Sequence, residues 1–92
     1  MADQSAPAES LLQFPVDFPI KVMGRTQPGF AQAILAVVQT HAADFRADTV
    51  EMRASREGRY LSLTFTVNAT SREQLDRLYR ELSSHPMVTM VL

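Results

Sequence analysis

The residues best suited to chemistry sit in one short run. In KVMGRTQPGF, residues 21–30, two glycines bracket a polar loop that carries Arg25 and Thr26 and follows Lys21. Bare glycine backbone beside the start of a helix can turn its amide hydrogens toward an anion, and the helix dipole favours negative charge there. Gly24, Arg25, Thr26, Gly29 and Lys21 are therefore the candidate ligand contacts, with a carboxylate or phosphate as the ligand class. Plainer roles compete for two of them: Gly24 can simply permit a turn, and Lys21 can lay its stem over neighbouring strands. A nucleotide-hydrolysing phosphate loop needs Gly, four residues, then Gly, Lys and Ser or Thr. Gly24 and Gly29 have that spacing, but Phe30 and Ala31 stand where the lysine and the metal-binding hydroxyl belong. The loop reads as an anion site, and no catalytic residue is assigned.

Other chemistry is sparse. The chain has no cysteine, which removes disulfides, thiol catalysis, iron-sulfur clusters and thiolate metal sites together. His41 and His85 fall at the ends of different helices with no third ligand in reach by spacing, and the helix dipole gives a histidine there a simpler role. No metal and no cofactor are expected. Nine basic against ten acidic side chains give a net charge of -1, which argues against binding through nucleic-acid phosphates. A single-strand RNA module of this size would also need several exposed rings; only Tyr60, with Lys21 beside it, is offered, and RNA binding through these two stands as an alternative reading.

The elements that must position these residues follow from periodicity. From Asp17 the pattern alternates, with Phe18, Ile20 and Val22 on one face and Pro19, Lys21 and Met23 on the other, so a strand runs to Gly24. Thr26 is a candidate helix cap and Pro28 suits a first turn, and Phe30, Ile34, Val37 and Val38 then mark an amphipathic helix over 27–41. A second strand covers 49–55 with Val50, Met52 and Ala54 inward. Glu57 and Gly58 make a tight turn into a third strand, 59–69, whose Leu61, Leu63, Phe65, Val67 and Ala69 share one face. Thr70 or Ser71 can close a capping box with Glu73 or Gln74. Leu75, Leu78, Tyr79 and Leu82 form the buried stripe of the second helix, which Ser84, His85 and Pro86 end. A last strand occupies 87–92.

The order strand, helix, strand, strand, helix, strand predicts an α+β ferredoxin-like βαββαβ sandwich: a four-stranded antiparallel sheet with both helices on one face. The other face is left bare and carries Lys21, Met23, Glu51, Arg53, Tyr60, Ser62, Thr64 and Thr66, with Thr89 or Val91 from the last strand. Met23, Arg53, Tyr60, Ser62 and Thr64 are the candidate partner-binding residues. Such a face is either a solvated surface rich in β-forming threonine or a docking site. The last strand, apolar on both parities, favours docking, and a homodimer through a strand edge or the open face is expected.

A chain of 92 residues is one domain, and folding at this size buries roughly 60% of the unfolded surface. Residues 1–13 read as a flexible tail whose end could dock through Leu12 and Phe14, with the domain over 14–92. The start has the pattern of neither a signal nor a transit peptide, and no run approaches the length of a membrane helix. A cytoplasmic protein without membrane association is expected.

Two resemblances add to this. The loop is similar to that of acylphosphatases, whose glycine-rich turn and following arginine hold a phosphate. Here Ala31 stands where the arginine after the Phe would be, and the second strand lacks the asparagine that would position water, leaving Arg25 as the anion clamp of an alternative hydrolase reading. More of the chain, Leu12 to Leu92, resembles the YbeD family of small bacterial proteins, in LLQFPVDFPIKVMG, in SREGRYLSLTFTVNATSREQLDRLYREL and in the terminal VTMVL. That resemblance implies a fold similar to ACT regulatory domains, which bind small ligands, commonly amino acids, at subunit interfaces. It places the loop Gly24 to Gly29 at the ACT ligand position, and the family's gene neighbourhood implies a link to lipoate metabolism. The expected function is a non-enzymatic regulatory or adaptor domain that binds a small ligand or a protein partner.

Overall fold

The structure is a computed structural model that describes residues 13–92. Its elements are β1 (Val16–Arg25), α1 (Phe30–His41), a 3-10 turn (Ala47–Thr49), β2 (Glu51–Ala54), β3 (Tyr60–Ala69), α2 (Arg72–Ser84) and β4 (Met90–Val91). All strand pairs are antiparallel, in the order β2-β3-β1-β4. This is the expected ferredoxin-like sandwich. Apart from Gln13, the tail read over 1–13 lies outside the described residues, Leu12 included; Phe14 packs against the core.

The spine is the β1–β3 pair, in register from Val16 opposite Ala69 to Arg25 opposite Tyr60. Its inward parity supplies Ile20, Val22, Leu63, Phe65, Val67 and Ala69, buried against Phe30, Ile34, Val37 and Val38 of α1 and Leu75, Leu78 and Leu82 of α2. Each such aliphatic or aromatic side chain contributes about 1.5–3 kcal/mol on full burial. No polar or charged residue among those described is buried, so the core itself offers no chemistry. Phe45, in the segment after α1, closes one end with its ring edge-on to Phe65 at 5.4 Å.

Proline inside a central strand would normally cost a ladder hydrogen bond. Pro19 avoids this. Lys21, two residues on, exchanges main-chain hydrogen bonds with Leu92, which follows β4, so the missing amide of Pro19 faces the same flank, where the short β4 does not reach.

Three expectations need correction. The first helix begins at Phe30 rather than 27, and its cap is Gly29 at φ 81 with no side-chain hydrogen bond. Thr26 is not the cap: its hydroxyl donates to the carbonyl of Gly58 at 2.6 Å and its N–H to that of Arg59 at 2.8 Å, which ties the loop to the β2–β3 hairpin. The second strand is shorter than 49–55, and Met52 and Ala54, expected inward, are exposed. Their parity is the helix-facing one, opposite Leu63 and Leu61, but β2 is the sheet's edge and lies beyond the cover of the helices. Finally, Val22 pairs with Val91 and Met23 with Met90, so Met90 and Leu92, not Thr89 or Val91, share the open face.

The second helix starts as a variant capping box. The Ser71 hydroxyl accepts from the N–H of Gln74 at 3.1 Å, while Gln74 Oε1 accepts from the Thr70 N–H at 2.6 Å. The other end of that amide, Gln74 Nε2, donates to the carbonyl of His41 at 2.9 Å and satisfies a carboxy-terminal orphan of α1. One side chain thus joins the start of α2 to the end of α1.

Candidate functional site

On the open face, strand register assembles the candidates in rows. Arg53 stands opposite Ser62, Ser62 opposite Met23, and Met23 opposite Met90. In the next row, Glu51 stands opposite Thr64 and Thr64 opposite Lys21. Leu92 is held beside Lys21 by two main-chain bonds, Lys21 N–H to Leu92 O at 3.2 Å and Leu92 N–H to Lys21 O at 2.8 Å.

Between these rows lies a hollow of about 320 Å³ lined by Lys21, Met23, Arg53, Tyr60, Ser62 and Leu92 among others. Its lining is chiefly apolar, and Tyr60, Met90 and Leu92, which fall in three neighbouring rows of the face, keep 39%, 49% and 60% of their surface exposed. Lys21 and Arg53 stand at its rim, and neither pairs with an acid among the described residues. A polar depression of about 260 Å³ adjoins it, formed by Lys21, Glu51, Met52, Arg53, Ser62 and Thr64. Toward the other end of the sheet, a wider depression of about 480 Å³ carries charges of both signs, Asp17, Asp44, Arg46 and Glu51. Of these three, the first combines an apolar floor with cations that have no acidic partner among the described residues.

The two sets of candidates named from sequence thus partly merge. Lys21, Met23, Arg53, Tyr60 and Ser62 line one hollow; Thr64 belongs to the adjoining depression. Arg25 lies on the same parity, opposite Tyr60, but is not among the residues that line the hollow. Gly24, Thr26 and Gly29 do not line these depressions. Gly24 is buried within β1, and a Cβ there would collide with the Met87 carbonyl and the Phe30 ring. Its bare backbone serves close packing and not a turn. In the loop itself the N–H of Thr26 is bonded to Arg59 and that of Phe30 to Gln27 at 3.3 Å. Leu92 and Met90, which sequence reasoning left off the open face, complete it; the parity of a two-residue strand is visible only once its register with β1 is known.

The histidines have structural partners. His41 Nε2 lies 2.6 Å from Glu81 Oε1 and bridges the ends of the two helices, and His85 Nδ1 accepts from the N–H of Met87 at 3.1 Å. No cluster among the described residues could hold a metal ion. Behind the sheet, Tyr79 packs edge-on against Phe18 at 6.4 Å and its hydroxyl donates to the Leu92 carbonyl at 3.4 Å. Burial pushes its phenol above the usual value. No helix among the described residues is long and apolar enough to cross a membrane.

Comparison with known proteins places this geometry. A UPF0250 protein of Nitrosomonas europaea is 60% identical over 84 residues, covering 91% of this chain and 97% of its own. A UPF0250 protein of Bordetella pertussis is 59% identical over 86 residues, 94% of each chain. Among solved structures, the solution structure of protein HP0495 from H. pylori superposes with a TM-score of 0.74 at 14% identity, over 98% of this chain and 91% of that one. The ACT domain from GTP pyrophosphokinase of Chlorobium tepidum gives 0.62 at 19% identity, over 83% and 84%. At such identities these two establish the fold, which is ACT-like. A family described as a protein of unknown function, DUF493, matches residues 9–92. With that match and the identities above, the chain belongs to this DUF493/UPF0250 family, the relationship that the strand-and-loop run, the hairpin and the terminal VTMVL pointed to.

Proposed function

We propose that this protein is a non-enzymatic regulatory or adaptor module of ACT-like type whose open sheet face takes a small amphipathic anion. The observation that carries this reading is the hollow between β2, β3, β1 and Leu92, where an apolar floor of Met23, Tyr60 and Leu92 meets Lys21 and Arg53, two cations that pair with no acid among the described residues. A ligand with a short hydrocarbon body and one carboxylate matches both features: the body covers exposed apolar surface and the carboxylate meets the rim charges. A medium-chain or lipoyl-type acid has this form, in keeping with the lipoate link that family resemblance implies. The fold likeness to an ACT domain supports a binding role over a catalytic one. The loop at Gly24 to Gly29 remains the second position for an anion, through Arg25 at its margin.

The test is an amide NMR titration of the full chain with octanoate, lipoate, amino acids and phosphate in turn. Shifts at Lys21, Met23, Ser62 and Leu92 with octanoate or lipoate support the reading. Shifts at Gly29 to Gln32 with phosphate alone move the site to the loop. The absence of shifts with every compound overturns small-ligand binding.

A further inference from the structure

The free edge of β2 is complementary to itself. Ser55 donates its N–H to the Tyr60 carbonyl at 2.9 Å, and bonding alternates along an antiparallel ladder. Arg53 and Glu51 therefore direct their main-chain groups to Ser62 and Thr64, the residues opposite them. The N–H and carbonyl of Met52 point the other way, to the unoccupied edge. The Met52 side chain is 60% exposed on the helix-facing parity, although it stands opposite the buried Leu63. Glu51 and Arg53 flank it on the open face, opposite in charge and without ion-pair partners among the described residues.

We infer that β2 pairs antiparallel with β2 of a second copy of this chain, about a two-fold axis at Met52. In this register Met52 exchanges two main-chain hydrogen bonds with the partner's Met52, and the two thioether side chains cover each other on the helix side. On the open face Glu51 lies opposite the partner's Arg53, and Arg53 opposite the partner's Glu51. These are non-hydrogen-bonded positions, where facing side chains come closest.

No other two-fold register of this strand does the same. Centring on Arg53 opposes two guanidinium groups, centring on Glu51 opposes two carboxylates, and centring on Ala54, whose main-chain groups also face the edge, sets Arg53 against Ser55 and Glu51 against Glu57. Any one-residue slip sets helix-facing side chains against open-face ones. The other edge strand carries no charged side chain from Thr89 to Leu92, so no pair of side chains there selects a register. A two-fold contact also closes on itself, which gives a dimer with an eight-stranded sheet and no further growth at that edge. The strand is four residues long, so the contact is small and its dissociation falls in a concentration-dependent range.

The inference goes beyond ligand binding and is tested separately. Sedimentation equilibrium of the full chain, up to roughly millimolar protein where so small an interface is populated, is expected to show a monomer–dimer equilibrium. Glu51→Arg and Arg53→Glu should each weaken it about tenfold or more, since each sets like charges face to face. The double variant, which only exchanges the two charges, should restore it. Met52→Lys should abolish it by placing two ammonium groups on the axis. All three positions are exposed, and an unchanged amide spectrum elsewhere checks the fold. A wild-type chain that stays monomeric throughout, a dimer indifferent to the single reversals, or a double variant no better than the singles overturns the inference. Octanoate titration of dilute, monomeric wild-type chain keeps the two readings apart, because Met52, on the dimer axis, does not line the apolar hollow and binding there needs no second copy.

Discussion

The ring of Phe30 stands where Gly24 would carry a side chain, with its Cζ 2.7 Å from the position of a Cβ. The glycine that most invited a ligand is thus a packing residue: it lets the first turn of α1 close down on β1. Gly24→Ala is expected to lower stability by about 1–3 kcal/mol through overpacking, read as a lower urea midpoint. Combining it with Phe30→Leu should recover part of the loss relative to the sum of the single changes. Strict additivity would show that the two positions do not compete for one space.

The helix junction depends on two neighbouring side chains. Ser71→Ala removes the cap of α2 and should cost about 1 kcal/mol. Gln74→Ala removes the bonds to Thr70 and the link to the His41 carbonyl, and should destabilise by more than the cap alone. Hydrogen exchange separates the effects: only Gln74→Ala should speed exchange at the end of α1 as well as the start of α2.

Removing one rim cation should weaken binding without abolishing it. Lys21→Gln is expected to reduce octanoate affinity by up to about fivefold, the scale of an exposed ion pair, with the difference shrinking as salt is added. A loss independent of ionic strength would assign Lys21 a packing role in the hollow instead.

Tyr79 gives a pH signature. Its folded pKa is raised by desolvation, so the folded state holds the phenol proton more tightly than the unfolded chain does. Any stability this provides is complete below the unfolded value of about 10 and is lost as pH rises through the folded one. In a Tyr60→Phe variant the single remaining tyrosine should titrate, by ultraviolet absorbance, above the ordinary tyrosine value of 10.0. Tyr79→Phe should remove this part of the alkaline loss of stability.

Much of this architecture could be read from residue patterns because parity is local. Alternation in β1 and β3 assigned Ile20, Val22, Leu63, Phe65 and Val67 to the core, and all are buried. The same rule placed Met52 inward and could not see its exposure, since parity names a face but not the element that covers it. Only the sheet order makes β2 an edge. Thr26 misled for a related reason: its hydroxyl serves the carbonyl of Gly58, thirty-two residues away, and a non-local partner leaves no trace in spacing. The open-face candidates were legible up to the last strand, where two paired residues are too few to reveal their own register.

Arg53 lines the apolar hollow and also stands on the free edge strand. A carboxylate bound in the hollow and the partner's Glu51 across the seam therefore draw on one guanidinium. Linkage then makes occupancy and assembly reciprocal: whatever factor a ligand takes from the dimer's affinity, dimerisation takes from the ligand's. A metabolite that competes for this arginine would set the number of chains in the particle, and protein concentration would in turn set the threshold at which the metabolite is sensed.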